Sequence, residues 1–211
     1  MVVKTIMIPF QELHCLKVEN TLEEALHIIE SNRLLSLPVV DGRKFVGILS
    51  KEFVYASYFN DFSGTKEEFL QKKVSEMIHT KIMSIPSDML IEDAAAIFIT
   101  SKIRFIPVTE KEGILLGIVT QQAVFKEYQK IFGQGYHRIL MYTYNYKGNL
   151  AKIAGIISRE GGNIRNIVQR DTDVMGLQEI NLRIDCEDFS RICTALQKHG
   201  FDVREEDDRK V

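Results

Sequence analysis

Cysteine is scarce in this chain: Cys15, Cys186 and Cys193 are the only three, widely spaced and without any C-x-x-C. That number and spacing suit neither a disulfide framework nor a zinc site, and they fit a reducing, cytoplasmic setting. Long apolar runs are missing as well. The most apolar stretches, 94–100 and 114–119, fall far short of the roughly 20 residues a membrane-spanning helix needs, so a soluble protein is expected. No charged segment followed by a long apolar one opens the sequence, and the chain is already acidic at Glu12, so no export signal is legible. Neither sign of charge dominates. Lys plus Arg number 27 against 29 for Asp plus Glu, a formal charge of −2, and division at Phe132 leaves 15 against 17 before it and 12 against 12 after it. Neither nucleic acid nor an anionic membrane is favoured as a partner by that balance. Also absent are G-x-S-x-G, a P-loop, G-x-G-x-x-G and any ligand spacing among the histidines at 14, 27, 79, 137 and 199. No catalytic or metal-binding residue is therefore assigned, and an enzyme is not expected.

What the chain does contain is a repeat. Leu34-Leu35-Ser36-Leu37-Pro38-Val39-Val40 returns 69 residues later as Ile103-Arg104-Phe105-Ile106-Pro107-Val108-Thr109. Ahead of each copy lies a stripe of helical period, Leu22, Ala25, Leu26, Ile29 and then Ile91, Ala94, Ala95, Phe98, at the same offset. After each comes Gly47-Ile48-Leu49-Ser50 and then Gly117-Ile118-Val119-Thr120, shifted by 70 because the second turn carries one extra residue. A turn is where a duplicated unit tolerates such a change. Each copy reads as helix, strand, turn, strand, helix. Thr21-Leu22-Glu23-Glu24 is a capping box that starts the first helix. Pro38 and Pro107 are expected at the first residue of their strands, where a missing amide hydrogen costs no ladder bond. Further helices follow Ser50 and Thr120, and 57–73 is a connector with a short helix begun by Thr65-Lys66-Glu67-Glu68.

From Gly133 onward the pattern changes and proline does not recur. A strand ending at Tyr144, a turn at 145–148, a stripe of Leu150, Ile153, Ala154 and Ile157 stopped by Gly161-Gly162, two alternating strands, a helix carrying Phe189, Ile192, Cys193 and Leu196, and a last strand at 201–203 give the order βαββαβ. That order predicts a four-stranded antiparallel sheet with two helices on one face. Tyr142, Tyr144 and Tyr146 form a one-face row that suits an interface or core.

The duplicated L-P-V-V and G-I-L-S segments resemble a tandem pair of CBS domains over about 1–131. The tail, with Asn145-x-x-Gly148-x-Leu150 and Gly161-Gly162-Asn163-Ile164, resembles an ACT domain over about 137–205, and the architecture is similar to the acetoin utilization protein AcuB family. The implied fold class is α+β: two βαββα-type CBS repeats at 1–58 and 73–131 joined by a connector at 59–72, a linker at 132–136, a ferredoxin-like βαββαβ ACT domain at 137–205 and an acidic tail at 206–211. The CBS resemblance implies an adenosine-nucleotide cleft between the repeats, with AMP, ADP, ATP, S-adenosylmethionine or NAD as the ligand and no required cofactor. Ser50 and Thr120 match its hydroxyl position. Its carboxylate position is Phe53 in one copy and Ala123 in the other, a departure that removes a charge-assisted hydrogen bond of roughly 1.5–3 kcal/mol. Leu35, Ser36 and Arg104 precede the strand prolines where phosphate-facing groups are expected, and Ile48 and Ile118 belong to the apolar walls. If the clefts are cross-built, Arg104 joins Ser50 and Phe53, and Ser36 joins Thr120 and Ala123. The ACT resemblance implies an amino-acid or small-metabolite effector at Asn145, Gly148 and Asn163. Capping by Ser50 and Thr120, and turn formation by Asn145, Gly148 and Asn163, explain the same residues without a ligand. The functional expectation is a non-catalytic homodimeric regulator, or alternatively a dimeric scaffold with vestigial clefts that acts by contact with a regulated enzyme.

Overall fold

The computed structural model describes residues 1–101, 103–132, 135–144 and 146–206, with the side chains of residues 205 and 206 left aside. Two compact units divide the chain, Met1–Phe125 and Lys126–Val211. Among the described residues no helix is long and apolar enough to cross a membrane, and no cluster of His, Cys, Asp or Glu could hold a metal.

The first unit contains the duplication as two three-stranded sheets. In the first repeat β2 (Leu16–Lys17) lies parallel to β3 (Ser36–Asp41), which pairs antiparallel with β4 (Lys44–Ser50). Helices α1 (Leu22–Ser31) and α2 (Lys51–Asp61) flank the strands, and α3 (Lys66–Leu70) follows in the connector. In the second repeat β5 (Phe105–Thr109) pairs antiparallel with β6 (Leu115–Thr120), Ile85 bridges Val108 in parallel as Leu16 does Val39, and α4 (Ile91–Thr100) and α5 (Gln121–Ile131) are the helices. The stripes bury as their period requires. Leu22, Ala25, Leu26 and Ile29 enter the first core, while Ile91, Ala94 and Phe98 are buried at the matching positions and Ala95 is half-buried. Thr21 and Thr65 each close a capping box, accepting from the amides of Glu24 and Glu68 at 3.2 Å, whereas Leu90 at the start of α4 supplies no side-chain cap.

The prolines differ from expectation. Each is the third residue of its strand, Pro38 opposite Ile48 and Pro107 opposite Ile118. The physical reason lies in the register. The carbonyl of Pro107 points away from β6 and accepts from the amide of Ile85 at 3.0 Å, so its missing N–H falls just where that short parallel pairing begins.

The leading segments of the repeats are exchanged. Strand β1 (Ile8–Pro9) pairs with β6 of the second repeat, and Val3 donates to the carbonyl of Met89 at 2.9 Å. Conversely, Val74 and Met77 enter the core of the first repeat, and His79 exchanges backbone hydrogen bonds with Ile48 at 2.9 and 3.1 Å. The close approach explains the paired glycines. A Cβ on Gly47 would sit 2.6 Å from the carbonyl oxygen of His79, and one on Gly117 only 2.3 Å from that of Ile8.

The second unit is built as β7 (His137–Tyr144), α6 (Asn149–Arg159), β8 (Asn163–Asp171), β9 (Leu177–Asp185), α7 (Phe189–Lys198) and β10 (Asp202–Glu206). The sheet order is β10-β7-β9-β8, antiparallel throughout. Ile139, Met141, Ile180, Leu182 and Ile184 form one core with Ile153, Ile156 and Ile157 of α6 and Ile192, Cys193 and Leu196 of α7. Two parts of the expected pattern shift. Leu150 remains 39% exposed while Ile156 takes a buried place, because the helix presents a face one residue further round. The tyrosine row breaks where β7 ends: Tyr142 donates to Glu179 at 3.1 Å, and Tyr144 instead packs beside Tyr146 with ring centroids 6.3 Å apart. The guanidinium of Arg170 bonds Glu179 and holds its carboxyl below the usual carboxylate range.

Candidate functional site

Two hollows open where the repeats meet, and each is built by strand ends from both copies. Antiparallel register sets Ser36 opposite Ser50 in the first repeat and Phe105 opposite Thr120 in the second. The smaller hollow, about 220 Å³, is lined by Ser36, Ile48, Ser50 and Glu52 of the first repeat, Ile103, Arg104 and Phe105 of the second, and His79 and Ile82 of the exchanged segment. The larger, about 350 Å³, is lined by Thr120, Ile118, Arg104 and Phe105 on one side and Arg33, Leu35 and Ser36 on the other, with Ile8, Glu12 and His14 from the opposite leader. Ile48, Phe105 and Ile118 form one buried apolar cluster, so the walls of both hollows share a floor. The larger, with apolar walls and a few polar groups, has the dimensions of a small-ligand pocket, and the smaller falls below them.

Arg104 stands in the same hollow as Ser50, and Ser36 in the same hollow as Thr120, while Arg104 and Ser36 line both. The two hydroxyls are not equivalent. Thr120 Oγ1 accepts from the amide of Ala123 at 3.1 Å and so caps α5, leaving its own hydrogen to donate. Ser50 begins α2 without any side-chain capping bond. Ala123 supplies that amide and is not among the residues lining the larger hollow. Phe53 turns its ring onto His79, a wall of the smaller hollow, with centroids 4.3 Å apart. Leu35 is 52% exposed on the rim, in contrast to Ile48 and Ile118, which are buried.

Several lining residues escape a reading of strands and helices. Glu52 sits one residue before the position expected for the carboxylate, and its Oε2 lies 3.7 Å from Nη2 of Arg104 across the repeat junction. Both side chains are more than half exposed, so this pair adds little to stability. Glu12, His14, Arg33 and His79 were also missed. The available signal is a fourth repeated segment: Val3-Lys4-Thr5-Ile6-Met7-Ile8 returns in outline as Val74-Ser75-Glu76-Met77-Ile78-His79, at an offset of 71. It aligns Ile8 with His79, the residues that pair with Ile118 and Ile48.

A roomier hollow of about 450 Å³ lies elsewhere in this unit, between α1, α2 and α3. Its carboxylates are already engaged. Glu30 pairs with Lys51 at 3.0 Å and accepts from Tyr55 at 2.8 Å, contacts that hold its carboxyl low, and Glu23 accepts from Gln71 at 3.1 Å.

In the second unit a hollow of about 350 Å³ lies at the start of α6, lined by Tyr146, Gly148, Asn149, Leu150, Ala151, Gln169, Gln178 and Ile180. Gly148 is the N-cap residue and takes the left-handed conformation, φ +85°. Gln178 is buried, donates to Asp171 at 2.9 Å and is bonded to Gln169. Asn145 lies outside the described residues. Asn163 opens β8, six residues before Gln169, and at ~3.3 Å per residue stands roughly 20 Å along the strand from this hollow. The structure therefore does not bring Asn163 to Gly148 within one chain.

A family model described as "CBS domain" matches residues 3–52 and 74–130. Among curated proteins, the CBS domain-containing protein CBSX2 (chloroplastic) of Arabidopsis thaliana is 28% identical over 143 residues, which cover 57% of this chain and 60% of that protein. Inosine-5'-monophosphate dehydrogenase of Aquifex aeolicus is 29% identical over 111 residues, covering 52% of this chain and 21% of the enzyme. The matches thus span three fifths or less of these relatives' length. A solved structure of CBSX2 in complex with AMP has a TM-score of 0.55 at 27% identity, covering 62% of this chain and 97% of that one. A solved structure of a putative acetoin utilization protein (AcuB) from Vibrio cholerae has a TM-score of 0.54 at 24% identity, covering 62% of this chain and 91% of that one, a likeness of fold.

Proposed function

The chain belongs to the CBS domain family, and on that footing we propose that it is a non-catalytic regulatory protein that senses an adenosine-type nucleotide between its two repeats. One observation carries the reading: Arg104 of the second repeat and Ser50 of the first line one hollow, while Ser36 of the first and Thr120 of the second line the other. Hydroxyls can bond ribose, the guanidinium can bond phosphate, and Ile48, Phe105 and Ile118 offer an apolar bed for a purine. The relative crystallised with AMP supports that ligand class. Ligand that bridges the two repeats favours one relative position of them, which is how occupancy becomes a signal.

The antiparallel βαββαβ unit supports a ferredoxin-like ACT domain in the second half, with the hollow at Gly148 as its effector site for an amino acid or small metabolite. In this reading the protein is a cytoplasmic homodimer, and Asn163 contributes to an effector site only from the neighbouring copy. Coupling between modules of this kind is typically about 1–3 kcal/mol. The second reading is a dimeric scaffold that acts by contact on a partner enzyme, in acetoin or acetate metabolism by resemblance. Phe53 and Ala123, which stand where a ribose carboxylate was expected, favour it.

Thermal unfolding with AMP, ADP, ATP, S-adenosylmethionine, NAD and the amino acids separates the two. A ligand present at a hundred times its Kd adds about 2.7 kcal/mol, a rise in Tm of roughly 5–11 °C for a chain of this size. A nucleotide response is expected of the sensor. A flat panel contradicts the sensor and leaves the scaffold.

A further inference from the structure

The two hollows share one guanidinium but not one electrostatic character. Arg104 lines both. In the smaller hollow it faces Glu52, whose carboxylate stands 3.7 Å away, so cation and anion offset each other there. In the larger hollow Arg104 is joined by Arg33, and Glu12 is the carboxylate among the lining residues: two guanidiniums to one carboxylate. Arg33 is held at φ +53°, in the left-handed region, one residue past Asn32, the C-cap of α1, and its position follows from how that helix terminates.

From this we infer that a phosphorylated nucleoside enters the larger, Thr120 hollow and that each chain takes up one, Glu52 excluding a second phosphate from the smaller, Ser50 hollow. The inference rests on the nucleotide reading above and goes further in assigning the hollow, the stoichiometry and the residues that decide both. A phosphate in the Ser50 hollow would meet the like charge of Glu52 and would have to draw Arg104 away from it. In the Thr120 hollow a phosphate meets an excess of positive charge, and Arg33 offers it a second forked donor set. Among the described residues that line the Ser50 hollow, Glu52 is the carboxylate, and it stands where a second phosphate would enter. That hollow therefore suits a nucleoside without a phosphate, whose ribose hydroxyls can donate to Glu52.

Calorimetric titration of the full chain with AMP, and separately with adenosine, tests this on the unmodified protein, Arg33→Asn and Glu52→Gln. Asparagine tolerates positive φ, so the first change removes charge without adding backbone strain. The expected results are one AMP per unmodified chain, a loss of AMP affinity of roughly tenfold to a hundredfold in Arg33→Asn with adenosine affinity changed less than about threefold, and two AMP per chain in Glu52→Gln. Two equivalent AMP sites in the unmodified chain overturn the inference while leaving the nucleotide reading intact. So does Arg33→Asn weakening AMP and adenosine alike, or Glu52→Gln still binding a single AMP. Absence of AMP uptake by all three proteins overturns the nucleotide reading and the inference together.

Discussion

The two repeats of the first unit agree in their backbones and disagree in the chemistry at their strand ends. Gly47 and Gly117 each admit an exchanged leader strand, Pro38 and Pro107 occupy the same place in their strands, and the same face of α1 and α4 is buried. Against that regularity, Thr120 spends an acceptor lone pair on capping α5 while Ser50 makes no capping bond, and Phe53 stacks on His79 where the other copy has Ala123. Positions whose neighbour is backbone have stayed paired, since no other residue fits. The strand ends and first helical turns beside the hollows differ between the copies, because no backbone approach fixes the residue there.

The largest test of this comparison is steric. Gly117→Ala places a Cβ 2.3 Å from the carbonyl oxygen of Ile8, and Gly47→Ala places one 2.6 Å from that of His79. Each is expected to destabilise the unit by about 3 kcal/mol or more, a fall in Tm of roughly 6–12 °C, with Gly117→Ala the worse. Thermal unfolding by circular dichroism reads this directly, and a neutral result at either glycine breaks the claim that backbone approach fixes the pair. A smaller effect sharpens the contrast between the hydroxyls. Thr120→Ala removes the bond to Ala123 and should lower stability by about 1 kcal/mol. Ser50→Ala should stay within about 0.5 kcal/mol in the ligand-free protein, because no cap is lost. Urea unfolding of both variants measures the difference, and equal losses would make the two ends equivalent after all.

Much of the architecture was legible in the residues, for identifiable reasons. Helical stripes expose their period over ten residues, and Thr21 with Glu24 carries its own cap geometry. The exchanged leaders were not legible, because β1 is two residues long and His79 forms a single bridge, too short for any alternation to be read. Only comparison of one leader with the other would have revealed Ile8 and His79 as equivalent. Without that, Glu12, His14 and His79 looked like unplaced polar residues, although each lines a hollow. Of the residues expected at the clefts, Ser36, Ser50, Arg104 and Thr120 line the hollows and lie at or beside strand ends fixed by the repeat itself. Asn163 shows the opposite limit. The ACT resemblance groups it with Gly148 as an effector residue, but six residues of β8 separate Asn163 from Gln169, which lines the Gly148 hollow.

The central claim is that the junction of the repeats receives an adenosine nucleotide through groups from both copies. A crystal structure of the full chain grown with AMP tests it most directly. The expected result is AMP in the Thr120 hollow, its phosphate within hydrogen-bond distance of Arg104 and its base against Ile118 or Phe105. AMP seated away from both hollows, or crystals free of AMP at millimolar concentration, would contradict the account.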